Sequence, residues 1–133
     1  MTSEEKQKVY SSGDYRSLSD AQKRIFKQVV EDLESRDLFR STDISVIASY
    51  SRNVILARLA SREIEKHGIV LEEADKYHGV KMKQNPAVDI LQKAQRAMED
   101  TAIRLGLTPT GRKRLKAEEK LRTASEEWDE QED

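Results

Sequence analysis

The stretch NPAVDILQKAQRAMEDTAIRLGLTP (residues 85–109) decides the fold class, because it contains one whole helix with both of its end signals. Asn85 is a favourable N-cap residue, and Pro86 stands at the first helical position, where its missing N–H costs nothing. Gly106 followed by Leu107 predicts a Schellman-type end. Between these ends, apolar residues recur at spacings of three and four and predict one buried helical face: Ala87, Ile90, Leu91, Ala94, Ala97, Met98 and Leu105.

Two more helices are marked at their starting residues. Thr108-Pro109 repeats the cap-plus-proline signal and predicts a last helix through about Ala124. Upstream, Ser19 and Gln22 form a capping box that predicts a first helix ending near Arg36. Its apolar residues fall on one stripe: Ile25, Phe26, Val29, Val30 and Leu33.

A long second helix is predicted from Ser41 or Thr42, either of which can act as its N-cap, to His67, with Gly68 just past its end. A helix with two apolar faces must be covered twice, by further packing within the chain or by a subunit interface. This helix has two such stripes: Ile44, Ile47, Ala48, Ile55, Leu59 and Ala60 on one, and Val46, Tyr50, Val54, Ala57 and Ile64 on the other.

The remaining segments frame a helical protein. Residues 69–85 alternate roughly in polarity about Gly79, which predicts a loop or a weak two-stranded hairpin. We therefore expect an all-α fold, a helical hairpin or bundle of about four helices. It should form a single domain over residues 18–125, preceded by a mobile polar arm at residues 1–17 and followed by an acidic tail at residues 126–133.

The composition suits helices with wide solvated faces and an uneven charge. Charged residues make up 37% of the 133, against about 25% in a typical protein. Residues 126–133 hold six acids and no base, whereas residues 76–122 hold twelve bases and five acids. A basic half beside an acidic tail is typical of proteins with anionic partners.

The residues do not predict an enzyme, a cofactor or a metal. The chain has no cysteine, and His67 and His78 stand apart without a metal-binding spacing. The five glycines are scattered and form no phosphate-binding loop. Since the first residues lack the apolar stretch of a signal peptide and no apolar run could span a bilayer, we expect no membrane association and a cytoplasmic location.

Basic side chains supply the candidate DNA contacts. They either bind phosphate or form solvated faces, which in the last helix would pair with Glu118 and Glu119. Lys81 and Lys83 make a third and smaller patch. The main candidates are Arg112, Lys113, Arg114 and Lys116 in the first two turns of the last helix, and Arg52, Arg58 and Arg62 along the second.

The acidic tail contains the single tryptophan of the chain. Trp128 stands between Glu127 and Asp129, an aromatic anchor surrounded by charge, as in short docking segments. The segment can bind a basic partner, fold back over the basic half or act as a solubilising terminus. These three residues are the candidates for partner docking.

The chain resembles a phage terminase small-subunit family over roughly residues 38–116. In that family an Asn-Pro opens a helix, and Leu-Gly-Leu-Thr-Pro followed by Arg-x-Arg-Leu closes the pattern. The sequence differs from the pattern at Gly111, where a small polar residue is usual, and at Ser51-Arg52-Asn53, where a more aromatic run is usual. The matching residues are Asn85-Pro86, Leu105-Gly106-Leu107-Thr108-Pro109 and Arg112-Lys113-Arg114-Leu115.

The resemblance implies a role in packaging a phage genome. Small terminase subunits recognise a site on double-stranded viral DNA and form homo-oligomers, often rings. They recruit or regulate the large terminase subunit, which carries the ATPase and the nuclease. The resemblance places such a protein in the host cytoplasm, where virions assemble, with no enzymatic activity of its own.

Two other functions fit the residues. A helix-turn-helix regulator is suggested by the Ile-Ala and Ser-Arg pairs within residues 42–66, although that segment lacks the turn glycine and fits one continuous helix better. A helical adaptor would use its charge for solubility alone. Salt-sensitive DNA binding separates the adaptor from the other two, and oligomer size separates a terminase subunit from a dimeric regulator.

Overall fold

The structure, a computed structural model, describes residues 1–77 and 79–132, with their side chains as far as residue 129. This part of the chain is predominantly helical, which confirms the predicted all-α class. A short 3-10 helix, Ser41–Asp43, joins the third and fourth helices. In chain order the other elements are α1 (Ser3–Tyr10), α2 (Gly13–Arg16), α3 (Asp20–Ser35), α4 (Ile44–His67), β1 (Val70–Ala74), β2 (Val80–Gln84), α5 (Pro86–Leu105) and α6 (Pro109–Glu132).

Helices α4 and α5 pack side by side and run in opposite directions. At one end the Asn85 side chain donates to the carbonyl of Gly68 (2.8 Å), which joins the residue that caps the C-terminal end of α4 to the start of α5. At the other end Arg40 Nη2 donates to the carbonyl of Arg104 (3.4 Å). The two helices therefore form an antiparallel hairpin, which is the body of the fold.

The ends of α5 are those predicted from its local signals. Asn85 Oδ1 accepts the N–H of Ala87 (3.0 Å), and Gly106 has φ 77°, in the left-handed region. The N–H of Leu107 donates to the carbonyl of Ala102 (2.9 Å), which is the hydrogen bond of a Schellman motif that spans six residues. Both boundaries follow from capping chemistry that is local in the sequence.

Helix α3 covers one face of this body. Phe26 and Leu33 are completely buried and belong to one apolar cluster with Ile47 and Ala48 of α4 and Leu105 of α5. Burial of a side chain of this size stabilises a protein by about 1.5–3 kcal/mol, so the cluster holds α3 against the hairpin. The buried residues of α3 are the predicted stripe: Ile25, Phe26, Val29, Val30 and Leu33.

The N-terminal segment contains more structure than expected. Residues 1–17, expected to be a mobile polar arm, contain α1 and α2, and Val9 is only 3% exposed. The rings of Tyr10 and Tyr15 meet edge to face with centroids 5.1 Å apart, and the Tyr15 ring also lies 5.1 Å from that of Phe26. Two helices this short bury too few side chains to give the sequence a helical periodicity of apolar residues. The sequence pattern therefore did not predict them.

The start of α4 also differs from the prediction. Ser41 and Thr42 lie within the 3-10 helix, and neither side chain caps α4, so the predicted N-cap is wrong. Asp43 is buried instead and accepts a hydrogen bond from Arg40 Nε (2.9 Å). From there α4 continues without a turn to His67, which excludes a helix-turn-helix unit within residues 42–66.

The apolar surface of α4 is only partly covered within the chain. Ile47, Ala48, Val54, Ala57 and Ala60 are buried. Leu56 and Leu59, in the C-terminal half of the helix, remain 43% and 53% exposed. The chain by itself therefore leaves apolar surface on this half of α4.

Residues 70–84 form the predicted two-stranded excursion, an antiparallel hairpin in which Val70 pairs with Gln84 and Ala74 with Val80. The hairpin lies beyond the adjoining ends of α4 and α5 and packs mainly within itself. Leu71 is half-buried, whereas the other side chains of both strands are exposed. The sheet therefore extends from the helical body into solvent.

Helix α6 runs past its predicted end at Ala124 and through the acidic residues to Glu132. After Gly111 the sequence contains no glycine or proline, and most of its residues have high helix propensity. Every described side chain from Lys116 to Asp129 is exposed. The acidic segment is therefore a continuation of α6, and only the first turns of this helix lie against the body.

Candidate nucleic-acid interface

The start of α6 fixes where the main basic cluster lies. Thr108 Oγ1 accepts the N–H of Gly111 (3.0 Å), so Thr108 caps the helix as predicted. Pro109 has no N–H, and the N–H of Arg112 donates to the Thr108 carbonyl (3.0 Å). Since the first turn has so few backbone donors left, any phosphate contact in this region depends on side chains.

Gly111 lies where α6 crosses the last turn of α5. A Cβ added at this buried position would overlap the carbonyl oxygen of Ile103 and lie 3.0 Å from its carbonyl carbon and its Cα. The backbones therefore meet at a distance that only glycine allows. This contact explains why glycine stands where the family pattern usually has a small polar residue.

The other departure from the family pattern, Ser51-Arg52-Asn53, also has local roles. Ser51 is fully buried and its hydroxyl donates to the carbonyl of Ile47 (2.7 Å). Asn53 Nδ2 donates to the carbonyl of Ser49 (2.9 Å). These polar side chains bond back to the preceding turn of α4, so their polarity is satisfied within the helix.

Arg112 differs from the rest of the predicted cluster. Its side chain is half-buried, and Nη1 donates to the carbonyl of Gly106 (3.4 Å). A cation at the C-terminal end of α5 also interacts favourably with the helix dipole. Arg112 thus has a structural role at the joint between α5 and α6.

Lys113, Arg114 and Lys116 are exposed on α6. None of the ion pairs found within the described residues involves any of these three side chains, and neither Glu118 nor Glu119 forms one with them. At about 100° of rotation per residue, Lys113 and Lys116 share one side of the helix with Lys120, and Arg114 points away from them. The set predicted from the sequence omits Lys120, which its i+4 spacing from Lys116 could have revealed.

The three arginines of α4 do not join this cluster. Arg52 Nη2 donates to the hydroxyl of Ser17 (2.9 Å) and so ties α4 to the end of α2. Arg58 and Arg62 are exposed, four residues apart, and therefore on one side of the helix. They lie in the half of α4 that leads to the β-hairpin, whereas α6 begins beside Tyr50. The seven candidate bases thus occupy separate regions.

A further arginine near α6 was not among the candidates. Arg40 contacts both Asp43 (2.9 Å) and the carbonyl of Arg104 (3.4 Å). Arg40 and Arg112 therefore both donate to carbonyls at the end of α5. Sequence patterns do not reveal Arg40, because one of its two partners is 64 residues away.

The docking candidates lie on the far half of α6. Trp128 is 64% exposed, and its neighbours Glu127 and Asp129 are exposed as well. Two residues discussed from the sequence, His78 and residue 133 of the acidic segment, lie outside the described residues. Trp128 continues an apolar stripe with the 4-3-4 spacing of a coiled-coil seam, formed by Ala117, Leu121, Ala124 and Trp128.

Two searches of the described residues bear on other kinds of site. Among the described side chains, those of residues 1–77 and 79–129, no group of histidine and acidic residues is arranged to hold a metal ion. None of the helices in the same part of the chain is both long and apolar enough to cross a membrane.

Comparison with known proteins identifies the family. The family described as "Phage terminase, small subunit" has a sequence model that matches residues 22–121, about three-quarters of the chain. The match begins within α3 and ends within α6, before Trp128. Neither a curated protein nor a solved structure matches the chain. The family match confirms the resemblance, and the chain belongs to the phage terminase small subunits, proteins of viral genome packaging.

Proposed function

We propose that the protein binds double-stranded viral DNA, assembles into a homo-oligomer and recruits or regulates the large terminase subunit. The observation that carries this proposal is the basic side of α6. Lys113 and Lys116 lie on a helix that extends from the body, are exposed and have no carboxylate partner within the described ion pairs. Cations in this arrangement are available to phosphate groups.

The DNA contacts come from exposed side chains of α6. Lys113 and Lys116 reach phosphates from one side of the helix, Lys120 extends that side by one turn, and Arg114 contributes from another side. Each contact is weak by itself in physiological salt, but copies in an oligomer act together on one duplex, so that their affinities combine through avidity. Arg58 and Arg62 on α4 form a second, separate basic region.

Salt-dependent DNA binding tests this part of the proposal. The variant Lys113→Ala/Arg114→Ala/Lys116→Ala keeps Arg112 and with it the joint between α5 and α6. Each lost phosphate contact should reduce the slope of log K against log salt by about 0.9, and affinity for duplex DNA should fall most at low salt.

The control variant, Lys6→Ala/Lys8→Ala/Arg24→Ala, removes the same charge from exposed positions on α1 and α3. It should bind DNA like the wild-type protein, apart from a small uniform loss. Equal affinities and slopes for both variants would mean that the bases of α6 form only a solvated face. No DNA binding by the wild-type protein would favour a helical adaptor.

The homo-oligomer is supported by apolar surface that the chain leaves uncovered. Leu56 and Leu59 on α4 are 43% and 53% exposed, and Ile90 on α5 is 42% exposed. Exposed apolar side chains concentrated on one part of a small protein are typical of interaction surfaces. Light scattering after size-exclusion chromatography should give the mass of a discrete assembly, and Leu59→Glu should lower that mass.

The large subunit is the proposed partner of the far half of α6. Leu121 and Trp128 are 72% and 64% exposed and lie seven residues apart, on one side of the helix. Glu127 and Asp129 flank the tryptophan and suit a basic partner surface. Trp128→Ala should weaken binding to the purified large subunit, measured by calorimetry, whereas Thr123→Ala on the opposite side should not.

A further inference from the structure

The β1–β2 hairpin has two open edges. The hydrogen bonds that close its ends, Asp75 N–H to Gly79 carbonyl (2.8 Å) and Asn85 N–H to Ile69 carbonyl (2.7 Å), identify the odd-numbered residues as the hydrogen-bonded pairs. The even-numbered residues of both strands therefore direct their N–H and C=O groups outward. Within the described residues no third strand joins the sheet, so both edges are available to another strand.

The two edges carry opposite charge. Strand β1 contains Glu72 and Glu73 and no base, and strand β2 contains Lys81 and Lys83 and no acid. All four side chains are exposed. Opposite charges across adjacent strands are stabilising and like charges are destabilising. Glu73, Lys81 and Lys83 lie on one face of the sheet and Glu72 lies on the other, so a β1 edge complements a β2 edge through Glu73, whereas two β1 edges or two β2 edges repel.

The even-numbered residues form the more apolar face of the hairpin, although Glu72 and Gln84 also lie on it. Alternation places Val70, Ala74, Val80 and Met82 on the same side of the sheet, and Val80 and Met82 are 68% and 60% exposed. A two-stranded hairpin is only marginally stable by itself, and further strands with a shared apolar face supply what it lacks. The hairpin thus has two open edges, strands of opposite charge and exposed apolar side chains, which are the features expected of a hairpin that pairs with further strands.

We propose that β1 of one copy pairs with β2 of the next copy of the same chain, head to tail, an inference that rests on the homo-oligomer proposed above. When the hairpins of neighbouring copies point in the same direction, β1 and β2 alternate across the assembled sheet. The pairing between β1 of one copy and β2 of the next is then antiparallel, like the pairing inside each hairpin. Because each copy offers one edge of each kind, the contact is heterologous and continues from copy to copy until it closes on itself. Charge repulsion between identical edges disfavours a two-fold dimer through the hairpins.

Charge reversal on the two strands tests this pairing. In Glu72→Lys/Glu73→Lys both edges are basic, and in Lys81→Glu/Lys83→Glu both are acidic, so each variant alone should fall to the monomer mass in light scattering. In an equimolar mixture the two variants alternate, so that a basic edge again meets an acidic one at every junction of an assembly with an even number of copies, and at all but one junction of an odd-numbered ring, and assembly should return. Recovery on mixing separates a contact between copies from a change confined to one hairpin.

Met82→Pro provides a second variant. The N–H of Met82 points to the open edge, so proline there leaves the hydrogen bonds of the hairpin intact but blocks the next strand. Met82→Thr, which keeps the N–H and the strand propensity, is its control and should assemble.

Three results would overturn the inference: an assembly whose mass is unchanged by the charge reversals, one unchanged by Met82→Pro, or a mixture that stays dissociated. An unchanged oligomer refutes only the strand pairing, and DNA binding through α6 is measured separately. A wild-type monomer refutes both the pairing and the proposed oligomer.

Discussion

Replacing Gly111 by alanine tests the crossing of α6 over α5. The added methyl group would overlap the Ile103 carbonyl oxygen and lie 3.0 Å from two more atoms of the same backbone. Because a backbone cannot rotate away as a side chain does, α6 must shift. Overpacking of this kind costs about 1–3 kcal/mol, whereas alanine in place of glycine within a helix gains up to about 1 kcal/mol.

The expected net loss is about 1–2 kcal/mol of unfolding free energy. For a chain of 133 residues, 1 kcal/mol corresponds to roughly 3–5 °C in Tm, so the Tm of Gly111→Ala should fall by about 3–10 °C. Far-ultraviolet circular dichroism on heating measures this directly, because the protein is predominantly helical.

A second glycine serves as the matched control. Gly13 is exposed in α2, and a Cβ built there meets nothing within 4 Å. Gly13→Ala should therefore leave Tm unchanged or raise it slightly. If Gly111→Ala were as stable as Gly13→Ala, the reasoning that the helix crossing requires glycine would be refuted.

Three further variants test the cap, the core and the half-buried Tyr10. Asn85→Ala loses the capping bond and the 2.8 Å bond to Gly68, and should lower the free energy of urea unfolding by about 1–3 kcal/mol; no loss would mean that the cap is dispensable. Phe26→Ala empties a fully buried site and should cost about 3–5 kcal/mol; a cost below about 1 kcal/mol would contradict its place in the core. Burial, followed by the charge of Glu31, raises the pKa of Tyr10 above 10, so the unfolded chain loses this proton first. Stability should be independent of this group below pH 10 and fall as pH rises beyond it; Tyr10→Phe should weaken that fall, and equal pH profiles would contradict the assignment.

Local chemistry made much of the fold predictable. The ends of α5 follow from Asn85, Pro86 and Gly106, and each acts within four residues of its own position. The stripe of α3 follows from helical periodicity, since five apolar residues leave little choice of buried face. The hairpin follows from alternation about Gly79.

The remaining features depend on contacts that periodicity does not encode. Tyr10 and Tyr15 are held by ring contacts with each other and with Phe26, so α1 and α2 do not stand out as a pattern. The length of α6 follows from the absence of helix breakers rather than from any stop signal.

The candidate site was predictable in its charge but not in its geometry. That bases cluster at the start of α6 follows from the sequence, but the half-buried position of Arg112 depends on the Gly106 carbonyl. Likewise Arg40 becomes part of the joint only because the fold brings residue 104 beside it. Spatial neighbours that are distant in sequence therefore account for most of the difference.

Helix α6 contacts the body through its first turns, so a small change in its direction there displaces its far end by a larger distance. At about 1.5 Å of rise per residue, Trp128 stands about 25 Å along the axis from Gly111. A tilt of α6 by about 10° at Gly111 would displace Trp128 by about 4 Å, given the same rise. The direction of the distal half of α6 therefore depends strongly on the close contact between Gly111 and the backbone of Ile103.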